Sequence, residues 1–282
     1  MKWIQPDNHA LTKSDDLIRN DRRNKYEEGD NLMNQRLDII KNNIDQHGCY
    51  CMRSMQNQSG YIKKVRWTEE NFDRGLEYIQ IKDGKKSLGF IEYAPGQYSW
   101  RVIHADEYMV IHCIWVGAPG MGLGSQLVQL CLEEARQRKM KGVAVLTNAD
   151  TGWAPSKDIF IRNGFSFVES GPHSFELYVY PFEYTLLPYF PTNWNERVAR
   201  FAEGLTILRT DQCPYLDVAT ENLIKAANTA NIHPNIIHFQ DRTQMMELSP
   251  TPYGVFNVVY NGELIAYHRM TEKAFLKALQ RK

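Results

Sequence analysis

Three alternating glycines are the first residues whose spacing could do chemistry. Gly120, Gly122 and Gly124 follow an apolar run and precede an amphipathic segment that starts near Ser125. Glycines in such a turn let the backbone approach a pyrophosphate, and the N–H groups of a helix N-terminus attract its negative charge. The spacing is Gly-x-Gly-x-Gly and no Gly-Lys-Ser/Thr follows, which argues against a Rossmann fold and a Walker loop. The sequence therefore predicts a phosphate-binding turn of another kind.

Cysteine thiols are the second such group. Cys213 lies between a predicted strand and a predicted helix, where a helix N-terminus would lower the thiol pKa and favour a mixed disulfide. Leu216 stands where a Cys-x-x-Cys motif has its second cysteine, so an inert thiol in a binding domain is the alternative. Cys49 and Cys51 near His47 could suggest metal ligands, but no matching second pair exists, and the sequence predicts no metal site.

Two successive sets of strands and helices must position these groups. In the first set, a nearly all-apolar strand at 108–116 precedes the glycine turn, and a helix with basic residues in its last turn follows it. The predicted strands are 37–40, 77–81, 88–93, 108–116, 143–147, 165–168 and 175–180, and the predicted helices open at Thr68, open at Ser125 and span 155–163.

The second set has the order strand-helix-strand-strand-strand-helix, and a hairpin turn at Asn261-Gly262 joins its last two strands. Its predicted strands are 205–210, 235–239, 255–260 and 264–267, and its helices are 216–229 and a last one from Glu272. Proline and aromatic residues between 181 and 201 indicate a boundary. We predict a polar helical extension over 1–35, a domain over 36–182, a linker over 183–203 and a smaller domain over 204–282.

Composition narrows the class of protein. The 282 residues include 33 lysines and arginines and 33 aspartates and glutamates, so the net charge is zero. A basic excess marks most chains that bind nucleic acid or acidic membranes, and neither partner is predicted here. The N-terminus has no apolar signal region, no apolar run approaches the ~20 residues of a membrane-spanning helix, and the five cysteines are irregularly spaced. These features favour a cytoplasmic protein.

The order of parts around the glycine turn resembles the GNAT acetyltransferase superfamily over residues 36–182. The matching parts are the strand 111–116, the turn from Pro119 to Gly124, the helix from Ser125, the strand 143–147, and the segment from Phe160 to Gly164-Phe165. This resemblance implies an α/β (α+β) fold, in which a mixed sheet carries flanking helices. It also implies acetyl-CoA as co-substrate.

In that family acetyl-CoA lies against the strand that here ends at Val116, with pyrophosphate in the glycine turn. The residues that the resemblance implies for acetyl-CoA are Ile114, Trp115, Val116, Gly120, Met121, Gly122, Leu123, Gly124, Ser125 and Phe160. Two positions depart from the pattern. Pro119 replaces an arginine or glutamine and cannot donate an N–H, and Phe160 replaces a tyrosine that often protonates the departing thiolate.

An acetyltransferase acting on an amine must remove a proton from it. Glu92, in the apolar run Phe90-Ile-Glu-Tyr, is the first candidate for this base and Tyr108 the second. A solvated glutamate at a strand edge is an equally good interpretation of Glu92. His112 alternates with Cys113 on the central strand, so one should face each side, and His112 is more readily a core histidine than a base.

The chain is also similar to a bacterial subgroup, the YoaP-like acetyltransferases, that joins a GNAT domain to a C-terminal thioredoxin-like domain. The segments that carry this likeness include His47-Gly-Cys-Tyr-Cys, Tyr98-Ser-Trp-Arg, Gln212-Cys-Pro-Tyr and Pro250-Thr-Pro-Tyr. Thr251-Pro252 resembles the cis-proline that faces the thioredoxin cysteine. The likeness implies an N-acetyltransferase for a small-molecule or peptide amine and leaves the oligomeric state open. A thiol-handling protein that uses Cys213, or a CoA-binding module without turnover, remains as an alternative.

Overall fold

A computed structural model describes residues 35–117 and 120–279. The predicted N-terminal extension therefore falls, except for residue 35, outside the described residues, and so does Pro119. Within the described ranges the protein is a mixed α/β fold in which a mixed sheet carries flanking helices and a second, smaller sheet follows. This confirms the predicted fold class. No helix in the described part of the chain has the length and apolar character needed to cross a membrane.

The first sheet has seven strands in the order β1-β2-β3-β4-β5-β7-β6. All neighbours are antiparallel except β4 and β5, which run parallel. The strands are β1 Gln35–Ile39, β2 Glu77–Asp83, β3 Lys86–Pro95, β4 Met109–Val116, β5 Gly142–Asn148, β6 Ser166–Ser170 and β7 Phe175–Pro181.

Helices cover both faces of this sheet. They are α1 Ile44–His47, α2 Ser59–Phe72, α3 Leu123–Gln137 and α4 Lys157–Arg162, with a one-turn 3₁₀ helix at Gly96–Tyr98. The predicted start of α2 at Thr68 was wrong, because Thr68 lies inside the helix and its hydroxyl donates to the carbonyl of Lys64 at 2.8 Å. The buried face of α2 includes polar Lys64 and Asn71, and these interrupt the apolar stripe by which the sequence signals a helix.

The second sheet has the order β11-β10-β8-β9, with β8 parallel to β9 and β10 antiparallel to both of its neighbours. Its elements, with the short α5 before them, are α5 Trp194–Ala199, β8 Leu205–Arg209, α6 Tyr215–Thr229, β9 Asn235–His238, α7 Arg242–Leu248, β10 Phe256–Tyr260, β11 Glu263–Ala266 and α8 Glu272–Leu279. The sequence did not predict α7. The predicted cis-proline was wrong, since the peptide bond before Pro252 is trans.

One hydrophobic cluster joins the two sheets. Trp67 of α2, Trp100 and Phe175 pack in the same cluster as Leu205 of β8 and Phe256 of β10. Burial of apolar surface between the sheets stabilises their mutual position, at roughly 25 cal/mol per Å² removed from water. The division at 182 and 204 therefore stays a prediction about sequence segments, while the structure joins those segments through their side chains.

Candidate active site

The parallel strands β4 and β5 diverge and leave a cleft between them. β4 and β5 pair only over Met109–Ile111 and Val143–Val145, whereas β4 stays paired with β3 as far as Val116. Backbone groups at the end of β4 that face away from β3 therefore have no strand partner there, and an extended ligand could use them as it would a sheet edge. A cavity of about 750 Å³ lies in this cleft, with Ile114, Trp115 and Val116 on one wall and residues between 147 and 159 on the other.

The glycine turn lies next to this cleft. Gly120 and Gly122 adopt left-handed φ angles of 84° and 71°, and a Cβ at either position would meet open space. The first helical bond of α3 runs from Gln126 N to the carbonyl of Gly122 at 3.0 Å, so the N–H groups of Leu123 to Ser125 precede it. The turn can therefore accept an anion, with exposed Met121 at its tip.

Gly124 has a different task from the other two glycines. A Cβ on Gly124 would lie 2.3 Å from Cδ1 of Ile159, so the missing side chain lets α3 and α4 approach each other closely. Ser125 contributes to the same contact, because its hydroxyl accepts a hydrogen bond from Asn163 Nδ2 at 3.0 Å. Both residues therefore fix the helix whose N-terminus faces the cleft.

A second cavity, of about 420 Å³, lies between the first sheet and residues 212–269, which belong to the predicted smaller domain. We call it the interdomain cavity. The two cavities meet at the residues that line both of them, which are Ile114, Trp115, Gly152, Ala154 and Pro155. The other main lining residues of the interdomain cavity are Tyr50, Cys51, Lys64, Glu92, Arg101, His112, Cys113, Trp153, Gln212, Cys213, Tyr215, Tyr253 and Arg269. The shared wall makes the pair suitable for two substrates that must meet.

A β-bulge in β4 aims two consecutive side chains at the interdomain cavity. Glu92 pairs with Cys113 and Tyr93 with Ile111, so His112 is an extra residue opposite β3. The expectation that His112 and Cys113 face opposite sides was therefore wrong, since both line this cavity. Regular alternation holds on either side of the bulge.

Glu92 is the centre of a buried polar network. Its carboxylate forms an ion pair with Lys64, accepts from Gln212 Nε2 at 2.8 Å and lies 3.2 Å from His112 Nδ1. Glu92 is 1% exposed and Lys64 3%. Burial alone would raise the pKa of Glu92, but Lys64 and His112 outweigh it and lower this pKa to about 2. Glu92 is a cavity residue and not a solvated one, yet this low pKa makes it a weak base.

His112 is held as a neutral donor. Its Nε2 accepts from the backbone N–H of Trp100 at 3.0 Å, so its proton lies on Nδ1 and points at Glu92. Burial is the main cause that lowers the pKa of His112 to about 4. Neither ring nitrogen is free to accept a proton from a substrate, in agreement with the interpretation of His112 as a core histidine.

Two predicted site residues lie away from both cavities. Tyr108 is buried just before β4, at the opposite end of this strand from the cleft, where its hydroxyl donates to the carbonyl of Leu186 at 3.1 Å. It lines neither cavity, so its candidacy as a base was wrong. Phe160 is fully buried and packs edge-on against Phe165 at 5.4 Å, while its neighbour Ile159 lines the cleft. We therefore withdraw Phe160 as a contact of acetyl-CoA and assign it to the core.

The thiols of the interdomain cavity are poorly ionised. Cys213 accepts a hydrogen bond from the N–H of Tyr215 at the start of α6, but burial outweighs this and raises its pKa. The predicted lowering of that pKa was wrong, because desolvation of the thiolate exceeds the stabilisation by the helix N-terminus. Burial also raises the pKa of Cys51, and that of Cys113 to about 12. In the described ranges no group of three or more His, Cys, Asp or Glu side chains could hold a metal ion.

Most of the positively charged residues that line the interdomain cavity were not predicted from the sequence. Lys64 lies on a helix whose start was misplaced, and Arg101 appeared only within a segment of family likeness. Gln212 links Arg101 to the Lys64–Glu92 pair, since it donates to Glu92 and accepts from Arg101 Nη1 at 2.8 Å. Arg269 follows β11 and had no signal in the sequence. A buried position for a lysine becomes readable only once its carboxylate partner on another element is known.

Part of the chain matches a known protein family. Residues 44–160 match the model of the acetyltransferase (GNAT) family. A Bacillus subtilis (strain 168) protein, named uncharacterized N-acetyltransferase YoaP, is 24% identical over 248 residues, which cover 86% of this chain and 97% of that protein. The family model and the resemblance seen in the glycine turn point to the same family.

Two solved structures are also similar. The GNAT domain of S. lividans PAT is 12% identical with a TM-score of 0.40, covering 52% of this chain and 90% of that one. A GNAT family acetyltransferase from Brucella melitensis, in complex with acetyl-CoA, is 14% identical with a TM-score of 0.35, covering 56% of this chain and 93% of that one.

Proposed function

We propose, from the GNAT acetyltransferase domain that residues 44–160 form, that this protein transfers acetyl from acetyl-CoA to an amine bound in the interdomain cavity. The observation that carries the proposal is the meeting of the two cavities at Ile114 and Trp115. One cavity has an open strand edge and a glycine turn, and the other has charged and aromatic walls. A thioester in the first would therefore be within reach of an amine in the second.

The cleft would hold acetyl-CoA through backbone groups. The free edge at the end of β4 suits the amides of the pantetheine arm, and the N–H groups of Leu123, Gly124 and Ser125 suit its pyrophosphate. Gly120 and Gly122 support this, since side chains there would fill the space that the phosphates need. Thr147 Oγ1, on the opposite wall, has no hydrogen-bond partner within the described residues and could accept one from the ligand.

The amine attacks the thioester carbonyl, so that a C–N bond forms, the C–S bond breaks and the thiolate leaves with the electron pair. A thiol pKa near 8.5 makes departure without an acid only mildly costly at neutral pH. Backbone N–H groups at the end of β4 would stabilise the developing charge on the carbonyl oxygen. The amine must arrive neutral, with the proton of its ammonium form already lost to solvent. As the amide forms, its nitrogen releases one more proton, which ends on the departing CoA thiolate directly or by way of solvent.

The cavity wall favours that neutral amine. Lys64, Arg101 and Arg269 line it, and among the described residues Glu92 is the one carboxylate on the wall. An excess of positive charge lowers the pKa of a bound ammonium. The chain would in this way raise the fraction of reactive amine without a dedicated base. We further propose a cytoplasmic location and a thioredoxin-like C-terminal domain. The β8-α6-β9 unit followed by β10, β11 and α8 supports the latter.

The test measures binding and turnover separately. Calorimetry of acetyl-CoA with the purified protein should show saturable binding, and incubation with a panel of amines should yield an acetylated amine and equimolar free CoA by mass spectrometry. Saturable binding with no acetylated product from any amine class would leave a CoA-binding module and overturn the transferase activity. Absence of binding would overturn the proposal altogether.

A further inference from the structure

The interdomain cavity carries more positive than negative charge. Lys64, Arg101 and Arg269 line it, and Glu92 is the only carboxylate on its described walls. His112 is neutral at pH 7, because burial lowers its pKa to about 4. The walls therefore hold two positive charges in excess. Lys64 is matched by Glu92, which leaves the two arginines as the source of the excess.

Arg101 is a buried guanidinium for which the described residues provide no carboxylate partner. It is 3% exposed, and its nitrogens donate to Gln212 Oε1 at 2.8 Å and to the carbonyls of Trp100 and His112. Its guanidinium carbon lies 5.0 Å from the ring centre of Tyr253. An arginine stays charged in proteins, and burying an uncompensated charge is costly. A ligand anion in the adjoining cavity would offset that cost.

Arg269 is the second unmatched guanidinium, and it belongs to the C-terminal domain. Its guanidinium carbon stacks 4.0 Å from the ring centre of Trp153 and 5.2 Å from that of Tyr215. The side chain is exposed, and no carboxylate of the described residues forms an ion pair with it. Stacking on two rings fixes the guanidinium plane, and a fixed guanidinium fork binds a carboxylate in bidentate geometry.

We propose that the acceptor amine also bears a carboxylate, as a free amino acid or a short peptide does, and that Arg269 and Arg101 recognise this carboxylate. The inference rests on the proposed acetyl transfer and names its substrate class. Aromatic walls at Tyr50, Trp115 and Trp153 add apolar surface for a side chain. A volume of about 420 Å³ lies at the small end of ligand pockets and excludes a folded protein segment.

The C-terminal domain thereby becomes the part that selects the acceptor. It contributes Arg269, Cys213, Tyr215 and Tyr253 to the cavity, whereas the acetyl-CoA cleft is lined by the first sheet and its connections. A change in Arg269 should therefore alter acceptor affinity and leave acetyl-CoA affinity unchanged.

The test uses amines that differ only by the carboxylate. Phenylalanine is compared with phenethylamine and phenylalaninamide, tryptophan with tryptamine, histidine with histamine, and dipeptides with dipeptide amides, by kcat/KM at pH 8. We expect the carboxylate member of each accepted pair to be favoured at least tenfold. The free amino acid and dipeptide arms show which source of the carboxylate is preferred. If the member that lacks the carboxylate is used equally well or better, the inference is overturned while acetyl transfer itself stands.

Arg269→Gln is the companion variant, because the side chain is exposed and its loss should not unfold the protein. We expect KM for the carboxylate acceptor to rise at least tenfold, with KM for acetyl-CoA within twofold of wild type and partial rescue by Arg269→Lys. Direct calorimetry of the N-acetylated amino acid provides a readout independent of turnover. If no carboxylate-bearing compound binds although acetyl-CoA does, the inference fails and the proposed cleft does not.

Discussion

The cleft between β4 and β5 and the interdomain cavity share the wall of Ile114 and Trp115 but are built by different means. The cleft comes from backbone: two strands diverge, and two left-handed glycines leave space before a helix N-terminus. The interdomain cavity comes from side chains that separate elements bring together around buried charges. Substitutions in the first region should therefore change ligand affinity, and substitutions of the buried Lys64–Glu92 pair in the second should change the stability of the whole chain.

Loss of the Glu92 charge should have the largest effect of all. Glu92→Gln leaves the buried ammonium of Lys64 without its anion, and we expect a loss of about 3–5 kcal/mol in the free energy of unfolding, measured by urea denaturation. The matched control is Glu70→Gln in the exposed pair with Arg66, which should cost less than about 1 kcal/mol.

A second variant separates charge from packing. Lys64→Met combined with Glu92→Gln removes both charges and should recover part of the lost stability. Equal losses for Glu92→Gln and Glu70→Gln would show that the buried pair does not organise the cavity, and the contrast between the two regions would disappear.

The second largest effect should come from acid, which lowers the free energy of unfolding through His112 in the interdomain cavity. Burial is the main cause that lowers the folded-state pKa of His112 to about 4, whereas an unfolded histidine has a pKa near 6.5. Between about pH 6.5 and pH 4 the unfolded chain therefore binds a proton on this histidine that the folded chain does not. The stability from His112 is complete above about pH 6.5 and is lost as pH falls towards 4, with a slope approaching about 1.36 kcal/mol per pH unit.

His112→Asn cannot titrate and serves as the comparison in the same urea experiment. We expect the unfolding free energy of this variant to depend less on pH between 6.5 and 4 than that of the wild type. Parallel pH profiles would mean that His112 titrates normally in the folded protein.

Charge in the glycine turn should affect affinity and little else. Gly122→Asp places a carboxylate where the pyrophosphate would bind, and Gly122→Asn puts a side chain of the same size there without the charge. Both must adopt the left-handed φ of Gly122, so backbone strain is similar in the two. We expect the aspartate variant to bind acetyl-CoA at least tenfold more weakly than the asparagine variant, about 1.4 kcal/mol, by calorimetry. Equal affinities of the two variants would contradict the phosphate assignment.

The smallest expected effect is on the alkylation rate of Cys213. This rate shows whether the interdomain cavity holds a reactive thiol. Burial raises its pKa, so the thiolate fraction at pH 7 should be below that of a model cysteine. We expect iodoacetamide to label Cys213 more slowly than N-acetylcysteine at pH 7, with the rate rising only at alkaline pH, as followed by peptide mass spectrometry. If Cys213 were labelled faster than N-acetylcysteine at pH 7, the interpretation of Cys213 as an activated thiol would be correct after all.

The cleft was predictable because its signals are local. The apolar strand before the turn, the glycines and the helix after it lie within a few residues of one another, so their order makes the resemblance to the GNAT superfamily visible. It is this resemblance that implies one site for Ile114–Val116 and Gly122. Fold class followed from the same order of strands and helices. Phe160 was misassigned because the resemblance carried over a family position, whereas here the neighbouring Ile159 lines the cleft and Phe160 is buried in the core.

The interdomain cavity was not predictable, since its contacts join distant segments. Lys64 meets Glu92 across 28 positions, and Gln212 meets Glu92 across 120. A lysine on a helix is normally solvated, so its burial has no local sign. The bulge at His112 broke the alternation expected for β4.

That bulge also bears on how such a site could arise. On its N-terminal side Met109 and Ile111 face α3, and on its C-terminal side Ile114 and Val116 face the same way. Deletion of a single codon at this point would remove one side chain from the interdomain cavity and restore regular pairing, with every other residue of the strand keeping its orientation. The reverse insertion into a regular strand would add one, so the cavity could gain or lose a polar group in one genetic step without disturbing the strand edge at the end of β4.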